Sequence, residues 1–117
     1  MRARRVAYDS FRAELAHNDR AILDGETEGF VKLTCAKGSA AILGCTIVGA
    51  HAAELLAEVT LAITSGIGID RLARTIHPYP TVGESVMGAA LNYIRAHWQT
   101  MHAPCAPRRR LSAGGGD

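Results

Sequence analysis

From Tyr8 to Leu15, Phe11, Ala13 and Leu15 alternate with Arg12 and Glu14, a period of two that predicts a strand with one wet face. Asn18 to Gly29 is rich in Asp, Glu and Gly, so it reads as a turn, with room for a short pairing segment at Arg20 to Leu23. Phe30 to Cys35 is a run of β formers, Ala36-Lys37-Gly38-Ser39 a turn, and Ala41 to Val48 a second run of Ile, Leu, Thr and Val. Together they predict a β-hairpin. After Gly49 the period becomes helical: Ala52, Leu55, Leu56, Val59, Ala62 and Ile63 form one apolar stripe, and Gly66 supplies a stop. Asp70 predicts the cap of a short helix through Ile76, which Pro78 ends because the residue before a proline avoids helical geometry. Val82, Val86, Ala89, Ala90, Tyr93 and Ile94 share one face of a last helix that fades near His97 to Met101. Strands first and helices after predict an α+β domain: a small antiparallel sheet covered on one face by two or three helices. Residues 1–101 are expected to form it, and the Pro- and Gly-rich 102–117 to be a flexible tail or a cloning remnant.

Composition narrows the classes. A chain of 117 residues makes one domain, and aromatics at 5% leave the core to Ala, Val, Ile and Leu. The net charge of +2 includes Arg108, Arg109 and Arg110 in the tail, so the body is near neutral and carries no footprint for nucleic acid. The basic start resembles a signal n-region, but Asp9, Arg12 and Glu14 fall where an apolar stretch is required. No stretch approaches the roughly 18 apolar residues that span a bilayer, and a cytoplasmic location without membrane partners is expected. Cys35, Cys45 and Cys105 are odd in number and lack C-x-x-C spacing, which favours reduced, packed thiols over a disulfide framework or a zinc knuckle.

Candidate chemistry concentrates in "TIHPYPTVGES", Thr75 to Ser85. Thr81 and Glu84 have the spacing of a capping box; the other reading of Glu84 is a carboxylate that orients a neighbouring acid or base. His77 reads either as a loop histidine bonded to solvent or backbone, or as part of a site. Tyr79, held stiffly between Pro78 and Pro80, either donates a hydrogen bond through its phenol or packs its ring on the sheet edge. The bonds before both prolines are candidates for cis geometry. His51, Glu54 and Glu58 line one side of the first long helix, but without a second histidine at i+4 they make no metal motif, and Glu54 suits the positive end of that helix. Gly38 to Thr46 misses the phosphate-loop pattern, and Gly66-x-Gly68 lacks the third glycine and leading strand of a dinucleotide fingerprint.

"DRAILDGETEGFVKL", "ILGCTIVGAHAAELLAEVTLAI" and "DRLARTIHPYPTVGE", taken in order, resemble the carboxy-terminal dimerisation domain of the FAD-dependent pyridine nucleotide-disulfide oxidoreductases. Glutathione reductase, lipoamide dehydrogenase and mercuric reductase belong to that family. The resemblance covers about Val6 to His97. It implies a homodimer whose interface domain reaches into the partner's site and places a histidine and a glutamate beside the partner's flavin and redox disulfide, as an acid/base pair for thiol exchange. The glutamate maps onto Glu84. The histidine position, directly before the P-T, holds Tyr79, with His77 two residues earlier; His77 and Pro78 are expected to contact the partner's FAD.

A phenol with an ordinary pKa near 10 is a poor base at neutral pH, so thiol shuttling gives way to a mercuric reductase-like oxidoreductase. The vicinal carboxy-terminal cysteine pair of true mercuric reductases is missing, since only Cys105 lies there. The resemblance implies FAD and NAD(P)H in a full-length parent, none bound by this chain alone, which on this reading is catalytically inert without the cofactor domains. The other reading, suggested by Met1 and the lack of cofactor motifs, is a stand-alone assembly or binding module that kept the fold without the chemistry.

Overall fold

The computed structural model describes residues 5–101; the expected tail lies outside them. In chain order these form β1 (Tyr8–Glu14), a 3-10 turn (Leu15–His17), α1 (Asp19–Asp24), β2 (Phe30–Ala36), β3 (Ile42–Val48), α2 (Ala52–Thr64), α3 (Ile69–Arg74) and α4 (Glu84–Met101). The strands make an antiparallel sheet in the order β1-β2-β3. Tyr8 faces Ala36 and Glu14 faces Phe30 in one ladder, while Phe30 faces Val48 and Thr34 faces Gly44 in the other. Because side chains alternate across a strand, Val31, Leu33 and Cys35 are buried under the helices and Phe30, Lys32 and Thr34 are half-buried on the outer face. The register slips between Thr34 and Cys35, opposite Gly44, where a residue without a side chain weakens the pairing.

Helix α4 lies over β1 and β2, α2 over β3, and α3 packs on α4. This is the expected α+β architecture with one covered face. Val59, Ile69 and Val86 are completely buried between the layers, and each such side chain stabilises the fold by about 1.5–3 kcal/mol. Phe11 of β1 meets Tyr93 of α4 edge-on, with ring centroids 5.4 Å apart, and Asn92 Nδ2 donates to Arg12 O at 2.7 Å, fastening α4 to β1. No helix among the described residues is long and apolar enough to cross a membrane.

Two glycines bring the strand ends together. Gly29 has φ +129° and a Cβ there would stand 2.0 Å from Val48 O; Gly49 has φ +141° and its Cβ would meet Leu15 Cδ1 at 2.5 Å. Leu15, 1% exposed, sits under this crossing and donates its N–H to Gly29 O at 3.0 Å.

Several local expectations are corrected. The segment read as a turn with a pairing strand at Arg20 to Leu23 is helix α1. It is too short for a periodic pattern and is defined by its ends: Asn18 Oδ1 accepts from Ala21 N, and Gly25 closes it at φ 70°. In α2 the buried stripe is Leu55, Val59 and Ala62. Leu56 and Ile63 are 41% and 42% exposed, because α2 covers only the β3 side of the sheet. Helix α3 is capped by Gly68 and ends at Arg74; Asp70 lies in its first turn without a capping bond. Val82 precedes α4, which opens through a bond from Ser85 N to Val82 O.

Candidate functional site

The chain between α3 and α4 is pinned from within. Thr75 leaves helical geometry at φ −74°, ψ 126°, and its Oγ1 donates to Arg71 O at 2.7 Å. The Tyr79–Pro80 bond is cis. Thr81 Oγ1 donates to Pro78 O at 2.7 Å, and Glu84 accepts from Thr81 N at 3.4 Å. Half of the expected capping box therefore forms: the carboxylate reaches back, while the hydroxyl closes the preceding turn instead of capping the helix.

His77 turns inward. Its side chain is 7% exposed, with Nε2 2.5 Å from Glu58 Oε1 of α2 and Nδ1 2.9 Å from Thr75 O. A carbonyl only accepts, so Nδ1 donates to Thr75 O; Nε2 bonds the Glu58 carboxyl, and the ring joins the loop to α2. Glu58 is thereby committed to the loop. His51 of the same imagined metal set lies 3.7 Å from Glu26 instead.

Tyr79 turns outward, 70% exposed, and its hydroxyl donates to Asp19 Oδ2 at 2.7 Å. The neighbouring Asn18 is buried; its Nδ2 donates to Thr81 O at 3.0 Å while its Oδ1 caps α1. Consecutive residues at the start of α1 thus hold the loop by two bonds. The hydrogen bond to Asp19, then the charge of Asp19, and more weakly burial and the charge of Glu84, raise the phenol above its ordinary range. It keeps its proton at neutral pH.

Beside Tyr79 opens a cleft of about 510 Å³ lined by His17, Asp19, Glu84, Asn92, Arg12 and Arg95, among others. Arg12 is stacked 3.6 Å from the centre of the Phe30 ring and paired to Glu14 at 2.5 Å. Ser85 Oγ, which also lines the cleft, is buried without a hydrogen-bond partner. Of the residues singled out in the sequence, Tyr79 and Glu84 share this cleft, Pro78 is exposed beside it, and His77 braces the loop from the other side. Asn18 and Asp19 were not singled out. Asn18 carried a readable cap signal, whereas Asp19 meets Tyr79 across 60 residues of sequence.

The sequence profile described as "Pyridine nucleotide-disulphide oxidoreductase, dimerisation domain" matches residues 1–90. The chain belongs to this family. Its dimerisation domain is 34% identical over 94 residues to the dihydrolipoyl dehydrogenase of Mycoplasma pneumoniae, covering 80% of this chain and 21% of that protein. Against the Bacillus subtilis dihydrolipoyl dehydrogenase it is 43% identical over 75 residues, 64% of this chain and 16% of the relative. Among solved structures, LpdA from Mycobacterium tuberculosis matches with a TM-score of 0.71 and 30% identity, over 75% of this chain and 19% of that one. The HOCl-induced flavoprotein disulfide reductase RclA from Escherichia coli matches with a TM-score of 0.69 over 74% of this chain and 20% of its own, and at 19% identity the likeness is one of fold. The dimerisation domain spans about a fifth of the length of the curated relatives it matches.

Proposed function

We propose that this dimerisation domain pairs with a second copy and lends its 75–84 loop to the partner's flavin–disulfide site, with Tyr79 and Glu84 as the contributing groups. The parent activity is that of an FAD-dependent NAD(P)H oxidoreductase. The observation that carries this reading is an exposed phenol presented on a loop held from both sides, by Glu58 through His77 and by Asn18 and Asp19. Pro78 and Tyr79 face outward, toward the partner's FAD on this reading, while His77 braces them. The described residues themselves do not fit a dinucleotide: the sheet is antiparallel, and the passage from β3 through Gly49 into α2 has His51 and Glu54 where the fingerprint that cradles a pyrophosphate needs its second and third glycines. FAD and NAD(P)H are therefore assigned to other domains. A proton-retaining phenol in place of the family's histidine favours a mercuric reductase-like acceptor over dithiol substrates.

Two measurements test this. Light scattering over a concentration series is expected to give twice the chain mass; a monomer at every concentration counts against self-pairing. In the flavin-bearing parent, Tyr79→Phe and Glu84→Gln are each expected to lower turnover with a disulfide or soft-metal acceptor by about tenfold or more, the lower end of what positioned proton donors and acceptors contribute. Unchanged turnover in both variants refutes the assignment.

A further inference from the structure

We propose that Asp19 is a positioning residue for Tyr79: it fixes the phenol rotor and draws the O–H toward α1, so that the loop meets a docking group with the oxygen's lone pairs, as a hydrogen-bond acceptor. This deepens, and rests on, the reading of the loop as part of a partner's site. The sequence offers Glu84 as an orienting carboxylate, but that carboxylate bonds the Thr81 backbone, and the phenol bonds Asp19 instead, at 2.7 Å. Asp19 is held in register by its neighbour. Asn18 is buried, caps α1 and bonds Thr81 O, so the distance between the start of α1 and the Tyr79–Thr81 segment is set independently of the phenol. The nearby cation Arg20 is engaged by Asp24, which leaves the Asp19–Tyr79 bond to form between a phenol and a carboxylate, a short, charge-assisted kind.

The consequence is a preference in ligand chemistry. A phenol has one donor, and here it is spent within the chain. The exposed side of the oxygen then suits donors, such as a hydroxyl O–H or an amide N–H, and disfavours a thiolate or another anion, which would have to displace Asp19. The same bond raises the phenol's titration, giving a direct readout.

The test is NMR titration of the chain carrying tyrosine labelled with ¹³C at Cζ, with Tyr79→Phe assigning the resonance. Asp19→Asn is expected to move the Tyr79 midpoint down toward that of a free tyrosine, Asp19→Glu to restore part of the shift, and Glu84→Gln to move it less than Asp19→Asn. An unmoved midpoint in Asp19→Asn, or a larger effect from Glu84→Gln, overturns the assignment. A second measurement needs no variant at Asp19: hydroxyl-proton exchange at Tyr79 of the wild-type chain is expected to be slower than at the exposed Tyr8, and equal rates overturn the proposal. If the midpoint moves as expected while Tyr79→Phe leaves the parent's turnover intact, the Asp19–Tyr79 pair stands and the active-site reading beneath it falls.

Discussion

Asn18 joins the fold to the candidate site, and its two bonds can be separated by substitution. Asn18→Ala removes the cap on Ala21 N and the donor to Thr81 O together. Loss of an Asn cap costs about 1 kcal/mol, and loss of a neutral hydrogen bond at a part-buried carbonyl costs about 1 kcal/mol more. A total of about 2 kcal/mol corresponds to a fall in Tm of roughly 8–16 °C for a domain of this size. Asn18→Asp keeps a capping oxygen but turns a carboxylate toward the Thr81 carbonyl, so it retains the cap and loses the loop bond, an expected cost of about 1 kcal/mol or somewhat more. The assay is urea unfolding followed by circular dichroism, with the midpoint shifted and the slope unchanged. The loop bond has its own signature: both variants should shift the amide resonance of Val82, whose peptide carries the Thr81 carbonyl, while Asn18→Ala shifts that of Ala21 further than Asn18→Asp does. If Asn18→Ala costs less than about 0.5 kcal/mol, or if Asn18→Asp is as stable as wild type, the two-bond account is wrong.

Three further outcomes follow from other contacts. Glu58→Ala leaves the buried His77 ring nitrogen without its partner and is expected to cost about 1–3 kcal/mol, with Glu58→Gln milder; urea unfolding of both variants checks the order. Gly29→Ala drives a Cβ into Val48 O at a φ of +129° and should cost about 3 kcal/mol or more, read as lost near-UV circular dichroism or a collapsed urea midpoint, and a near-normal midpoint would show that the crossing yields. Burial pushes both Cys35, aided by the charge of Asp9, and Cys45 up to about 11, so in a Cys105→Ser background both should react slowly with Ellman's reagent at pH 8 and faster as the pH approaches 11. Because the folded values lie above the ordinary 9.0, these thiols leave stability intact below about pH 9 and diminish it as the pH rises toward 11, a fall that a pH series of urea midpoints would detect.

The hairpin and the buried side of α2 were legible because each burial pattern repeats with the period of its own backbone: Val31, Leu33 and Cys35 at two, Leu55, Val59 and Ala62 at the helical spacing. Helix α1 was not, since six residues complete fewer than two turns and the acidic and glycine content of the segment imitates a turn. For Asp70 the residue type of a cap was present, but the backbone bond from Ile69 N to Ala40 O fixes the chain one residue earlier and leaves Gly68 as the cap. At the candidate site, the local proline and capping signals drew attention to the 75–84 loop. The direction in which each side chain points was decided by partners on other elements: Glu58 for His77 and Asp19 for Tyr79. Such pairings follow from the tertiary fold and leave no trace in local spacing.

The in-and-out arrangement of the loop has a thermodynamic consequence. Ile76 is 94% exposed and Tyr79 70% exposed, yet the residue between them that matters most to the loop's shape, His77, is locked inside. A flexible loop that presented the same two side chains would surrender about 1–2 kcal/mol of backbone freedom per residue on being ordered by a partner. Here bonds from Glu58, Asn18 and Asp19 hold the loop within a single chain. Contacts made by Ile76 and Tyr79 on the proposed reading would then translate into affinity with little entropic loss, as in other preorganised recognition surfaces, and cutting the His77–Glu58 bond would weaken association by releasing the loop that presents them.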